Sequence, residues 1–274
     1  MQRILVPCDF SAPAEEAFSF AVKLALQSKG ELHVLHVLDL TFLQGIPSVS
    51  TSYMFNPTFL QQTEKEAREK FQKLWEKHAP MTLAVKFKYH LGTVIHEIEK
   101  YVREEAIDLV VMGTQGSGGA KWGSNTEKVV RCAHVPVMAL RKAPSRPIKH
   151  IVFAVYPGNK SKKLIEEVRK LQTFFNAQLH LLHVNTPLLF TPDPTMQEAL
   201  QHYASASGLT NYTLNIRSDH SVQEGVARFA KEIDADAIAM GTHAWTGLVH
   251  AMVGSVTEDV VNQADILTWS CSLE

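Results

Sequence analysis

Asp9 follows the apolar run Ile4-Leu5-Val6-Pro7, and Gly113-Thr114-Gln115-Gly116 follows a second such run, Leu109-Val110-Val111-Met112. A carboxylate accepts hydrogen bonds from a polar ligand, and glycines let backbone approach it closely or take positive φ. Gly123-Ser124 opens an amphipathic segment, where the free N–H groups of a helix N-terminus can hold anionic oxygen. In an open parallel sheet such groups converge in the crevice beyond the strand ends. The chemistry they suit is binding of a nucleotide or another phosphorylated small molecule. Each feature also has a purely structural reading. The glycines make a tight turn, Ser124 caps a helix, and Asp9 accepts local N–H groups where the helix from Ser11 begins. Two nucleotide-binding classes are set aside, because GxxxxGK[ST] is missing and Lys121 stands where GxGxxG needs its third glycine.

Other reactive groups point to less. No GxSxG elbow supports a hydrolytic triad, so no catalytic residue is assigned. His33 and His36 lie three apart on a strand and face opposite sides, and His180 and His183 repeat that spacing, so neither pair chelates one metal. They are expected to be hydrogen-bonded structural histidines, with no metal site. Cys8, Cys132 and Cys271 form no CxxC pair and are expected as buried free thiols.

The elements that must position these residues occur twice. Ile4-Leu5-Val6-Pro7 aligns with Ile151-Val152-Phe153-Ala154, and Leu32-His33-Val34-Leu35-His36-Val37 with Leu179-His180-Leu181-Leu182-His183-Val184. Asp108 to Thr114 aligns with Asp236 to Thr242, and Gly123 to Val130 with Gly254 to Val261. Four matches in one order establish an internal repeat. Copy one spans 1–142 and copy two 148–274, and the proline-bearing stretch 143–147 is the linker. In copy one, residues 3–8, 31–38, 82–89, 108–113 and 135–140 read as strands buried on both faces. Helices alternate with them, one marked by Ala14, Ala17, Phe18, Ala21 and Leu24, another by Val94, Ile95, Ile98, Tyr101 and Val102. Val222, Val226, Phe229, Ala230 and Ile233 repeat the latter. Residues 39–57 read as an excursion and 58–78 as a charged surface helix. The expected fold is α/β: two tandem Rossmann-like domains, each a five-stranded parallel sheet with helices on both faces.

The 274 residues, 45% hydrophobic and 20% charged, suffice for two cores. A net charge of −1 without basic clusters argues against nucleic acid and anionic lipid as partners. No apolar run reaches the roughly 18 residues of a membrane span, and the N-terminal residues run straight into a strand, so a cytoplasmic location is expected.

The segments ILVPCDFS, LHVL, VVMGTQG, GSNTEKVV and HVPVMAL resemble the universal stress protein family over nearly the whole chain, twice. The resemblance implies a regulatory stress-response protein binding ATP or another adenine nucleotide, with the accompanying magnesium left open. Pro7, Asp9 and Val37 would surround the adenosine, and Met112, Gly113, Gly116, Gly123, Ser124 and Asn125 the ribose and phosphates. The family pattern places nine residues between Gly-x2-Gly and the following Gly, whereas six stand between Gly116 and Gly123. Three fewer residues shorten the loop by roughly 10 Å of contour, at the phosphate end. Copy two has Ala244 for a glycine and Tyr156 for Asp9, so its site is expected to be degenerate. The copies are expected to pair through their last strands, Val135, Val137 and Met138 with Ile266, Leu267 and Trp269, and a homodimer is compatible with the sequence. The competing readings are a non-nucleotide interaction module acting through protein partners or another small ligand and, weakest, a slow ATPase.

Overall fold

The computed structural model of the protein describes residues 1–39, 56–114, 124–158, 161–242 and 266–272. Two compact units result, one of Met1–Val129 with Arg141–Ala143, the other of Val130–Leu140 with Pro144–Glu274.

In the first unit, β1 (Arg3–Pro7), β2 (Glu31–Asp39), β3 (Val85–Gly92) and β4 (Leu109–Gly113) form a parallel sheet in the order β3-β2-β1-β4. The two central strands are buried on both faces, which is why Ile4-Leu5-Val6 and Leu109-Val110-Val111 show no polar alternation. Helix α1 (Ala12–Ser28) starts where Ser11 accepts a hydrogen bond from the Ala14 N–H, carries proline in its first turn and stops at Lys29 in the left-handed region. It buries Ala14, Ala17, Phe18, Ala21 and Leu24, the face marked by helical spacing. Asn56 caps the charged helix α2 (Pro57–His78), so most of the expected excursion, residues 40–55, lies outside the described residues. Helix α3 (Val94–Glu104) buries Ile98, Tyr101 and Val102, and α4 (Ser124–Cys132) follows β4. The third strand begins at Val85 instead of residue 82, because the Leu83 N–H turns back to the Pro80 carbonyl.

In the second unit, β5 (Val137–Leu140) is followed by β6 (His150–Ala154), α5 (Lys162–Phe175), β7 (Gln178–Asn185), α6 (Asp193–Ala206), β8 (Tyr212–Ser218), α7 (Val222–Glu232), β9 (Ala237–Thr242) and β10 (Leu267–Ser272). The strand order is β5-β10-β9-β6-β7-β8, parallel from β10 to β8. β5 instead runs antiparallel to β10, with Ala139, Met138 and Val137 opposite Thr268, Trp269 and Ser270. The last strand of the first sequence repeat therefore belongs to the compact unit built mainly from the second.

One device recurs at the start of each repeat. Asp108 accepts from the Gln2 and Arg3 N–H groups, and its counterpart Asp236 from those of Lys149 and His150. Arg146, in the expected linker, forks to Asp234 at 2.6 Å and Asp236 at 2.5 Å, which pins that segment to the second unit. Of the thiols, Cys8 and Cys271 are buried as expected, but Cys132 is exposed at the end of α4, a correction to the reading of all three as buried. No described helix is long and apolar enough to cross a membrane.

Candidate functional site

A cleft of about 110 Å³ lies beyond the C-terminal ends of the first unit's strands. The end of β1 contributes Pro7, Cys8 and Asp9, β2 contributes Leu35 and Val37, and β4 contributes Met112 and Gly113. Helix starts close the rim: Ser11 and Ala14 from α1, Val94 from α3, Asn125 and Thr126 from α4. Six of the nine residues singled out from sequence thus meet in one place: Pro7, Asp9, Val37, Met112, Gly113 and Asn125. Ser124 opens α4, and Gly116 and Gly123 lie outside the described residues.

Asp9 is exposed, and its Oδ1 accepts from the Ser11 N–H at 3.0 Å and the Ser11 hydroxyl at 2.5 Å. The next residue, Phe10, sits in the left-handed region at φ 62°. Its ring lies 4.9 Å from that of His36 and beneath the Lys70 ammonium, 5.9 Å from the ring centre. His36 Nδ1 in turn lies 2.7 Å from the Cys8 carbonyl oxygen, to which it donates. Aromatic packing and this hydrogen bond over-determine an otherwise costly corner, and the corner carries Asp9. Burial, the main cause, holds the His36 pKa below the ordinary imidazole range. The second repeat keeps the frame: His183 Nδ1 lies 3.3 Å from the Val155 carbonyl, and the Tyr156 ring 6.3 Å from that of His183. A phenol occupies the place of the carboxylate.

Gly113 has a structural reason that spacing did not reveal. A Cβ built there would stand 2.6 Å from the Pro13 carbonyl carbon, so glycine is needed for α1 to pack on the end of β4. The Thr126 hydroxyl donates to the Gly113 carbonyl at 2.8 Å and ties the start of α4 to the same point. Cys8 is no nucleophile here, since burial pushes its thiol up to about 12. Among the described residues no three histidine, cysteine or acidic side chains converge as a metal site.

Among the described residues, two of the second repeat's counterparts of cleft-lining positions, Val184 and Val222, are more deeply buried. Leu182, Val184, Val222 and Met240, the counterparts of Leu35, Val37, Val94 and Met112, belong to one buried core cluster. Val37 and Val94 are only half-buried. The close fit comes from Gly225 of α7, whose built Cβ would lie 2.6 Å from Val184 Cγ1. Tyr156 marks the end of β6, while Ala244 and Gly254-Ser255 lie outside the described residues.

Cys8, Ser11, Ala14, Leu35, Val94 and Thr126 line the cleft without having been singled out for it. Leu35 was within reach, since it shares a strand face with Val37. Val94 was seen only as part of a buried helical face, and Thr126 lay unremarked within the repeated block.

The family model described as the universal stress protein family matches residues 1–141 and again 147–269. A universal stress protein of Methanocaldococcus jannaschii is 28% identical over 144 residues, covering 52% of this chain and 82% of its own length. One of Synechocystis is 22% identical over 293 residues, covering 97% and 98%. Among solved structures, a universal stress protein of Archaeoglobus fulgidus superposes with a TM-score of 0.73 at 18% identity, covering 98% of this chain and 96% of that one. At that identity the likeness speaks for the fold.

Proposed function

The chain belongs to the universal stress protein family as two tandem copies, and from that premise we propose that the first copy binds an adenine nucleotide as a regulatory ligand while the second serves structure. The observation that supports this reading is the meeting of Pro7, Asp9, Val37, Met112, Gly113 and Asn125 in one cleft of the first repeat, where the second repeat has Tyr156 in the place of Asp9. Asp9 accepts from ribose hydroxyls, with Pro7 and Val37 against the nucleoside. Met112, Gly113 and Asn125, with Gly116, Gly123 and Ser124 along the loop and helix start, take the ribose and phosphates. No magnesium ligand is assigned. The protein acts by binding, in the cytoplasm. The slow-ATPase reading is the alternative that the titration below is set against.

Calorimetric titration of the full chain with AMP, ADP and ATP tests the reading. One nucleotide per chain is expected, and similar affinities for all three follow from the shortened phosphate loop. Two nucleotides per chain, or none, overturns the assignment, and steady release of phosphate would favour the ATPase reading instead.

A further inference from the structure

His90 and Glu97 form a built pair beside the cleft that the binding scheme above does not use. His90 is the register partner of Val37 on the neighbouring strand, and parallel partners share a face of the sheet about 5 Å apart. Val37 lines the cleft, and so does Val94, the first residue of the helix that carries Glu97. The imidazole is held on two sides: Nδ1 lies 2.8 Å from Glu97 Oε2, and the ring meets Tyr101 edge-on at 5.9 Å. Glu97 is itself mostly buried, its side chain 12% exposed, and it lies over Gly92, where a Cβ would come within 2.9 Å of Oε1. Gly92 itself takes φ 155°, a conformation that L side chains rarely adopt.

The strand order says what this pair faces. The helix start suited to phosphate follows β4, Asp9 ends β1, and the order β3-β2-β1-β4 leaves β2 and β3 for the other end of the ligand. The base therefore lies over Val37 with an edge toward His90. With Nδ1 turned to the Glu97 carboxyl, the tautomer matched to that contact carries its proton on Nδ1 and leaves Nε2 as the acceptor. Adenine presents an amino donor at its six-position, whereas guanine and hypoxanthine present a carbonyl there. The second repeat has no such pair: Arg217 stands at the register of Val184, and Gly225 in the place of Glu97.

We propose that His90, held by Glu97, reads the six-position of the bound purine and selects adenine over six-oxo purines. This rests on the nucleotide reading of the same cleft. The test is titration of the full-length protein and its His90→Leu variant with ATP and with inosine triphosphate, which differ at that position. The wild type should prefer ATP by about tenfold, and His90→Leu should lose about three- to tenfold in ATP affinity while ITP changes little, bringing the ratio near one. A variant that loses both ligands equally, or neither, overturns the role of His90 and leaves nucleotide binding standing. A wild type that binds no ATP overturns both. Should His90→Leu fail to fold, ¹⁵N-histidine spectra of the wild type decide: a shift of the His90 Nε2 signal with ATP but not ITP supports the contact, and none with either overturns it.

Discussion

Asp9 already satisfies one oxygen through Ser11, so removing its carboxylate affects the corner as well as any ligand. Ser11 keeps its own role as the α1 cap in that case. Asp9→Ala is expected to lower adenine-nucleotide affinity about tenfold to a hundredfold, the loss of one charge-assisted hydrogen bond, while Tyr156→Ala leaves it nearly unchanged. Calorimetry on both variants, with thermal unfolding as a check on the fold, separates these outcomes. His36 yields a pH prediction. Burial sets its folded-state pKa below the ordinary 6.5, so the unfolded chain binds the proton first as pH falls through that value. Stability therefore declines from about pH 6.5 downward until the folded imidazole also titrates, and His183, depressed in the same way, adds to the slope. His36→Asn keeps an N–H for the Cys8 carbonyl but removes the titration. Its urea midpoint should vary less with pH between 7 and 5 than that of the wild type.

Two glycines decide how elements approach one another. Gly113 admits α1 to the end of β4, and Gly225 admits α7 to β7 at Val184. The first contact joins two walls of the cleft, and the second draws α7 onto β7 in the other repeat. Gly113→Ala should cost about 1–3 kcal/mol in unfolding free energy with no ligand present, because the clash is with the Pro13 backbone, which cannot swing aside. Gly225→Ala meets a side chain instead, and the smaller loss expected there reflects the freedom of Val184 to shift. Denaturant unfolding of the two variants measures both. A Gly113→Ala protein of undiminished stability would mean that the glycine is kept for ligand approach alone.

At the scale of the molecule, the sequence repeats and the compact units do not coincide. β5 is encoded with the first repeat but pairs with β10, whose residues are all buried, Trp269 to 1% exposure. A fragment of residues 148–274 would leave β10 an unpaired apolar edge, and such edges pair with other chains. That fragment is expected to self-associate beyond the full chain, which keeps β5 beside β10. Analytical ultracentrifugation of the two distinguishes them, and equal behaviour would show that β10 needs no neighbour.

The order of strands and helices, the buried faces of α1 and α3, and the placement of Asp9, Met112 and Asn125 at element ends all follow from local pattern. Hydrophobic period and punctuation act within a few residues, so they are legible along the chain. The repeat added the second copy without further assumption. What tertiary structure alone decided is that Leu35, Val94 and Thr126 join the cleft, why Gly113 is glycine, that Cys132 is exposed, and that β5 lies antiparallel in the second unit. Each depends on atoms far apart in sequence: Pro13 against Gly113, Val184 against Gly225, Val137 against Ser270. Matching motifs record that two segments share a pattern, but how closely their packed elements approach is set by contacts between residues far apart in the chain.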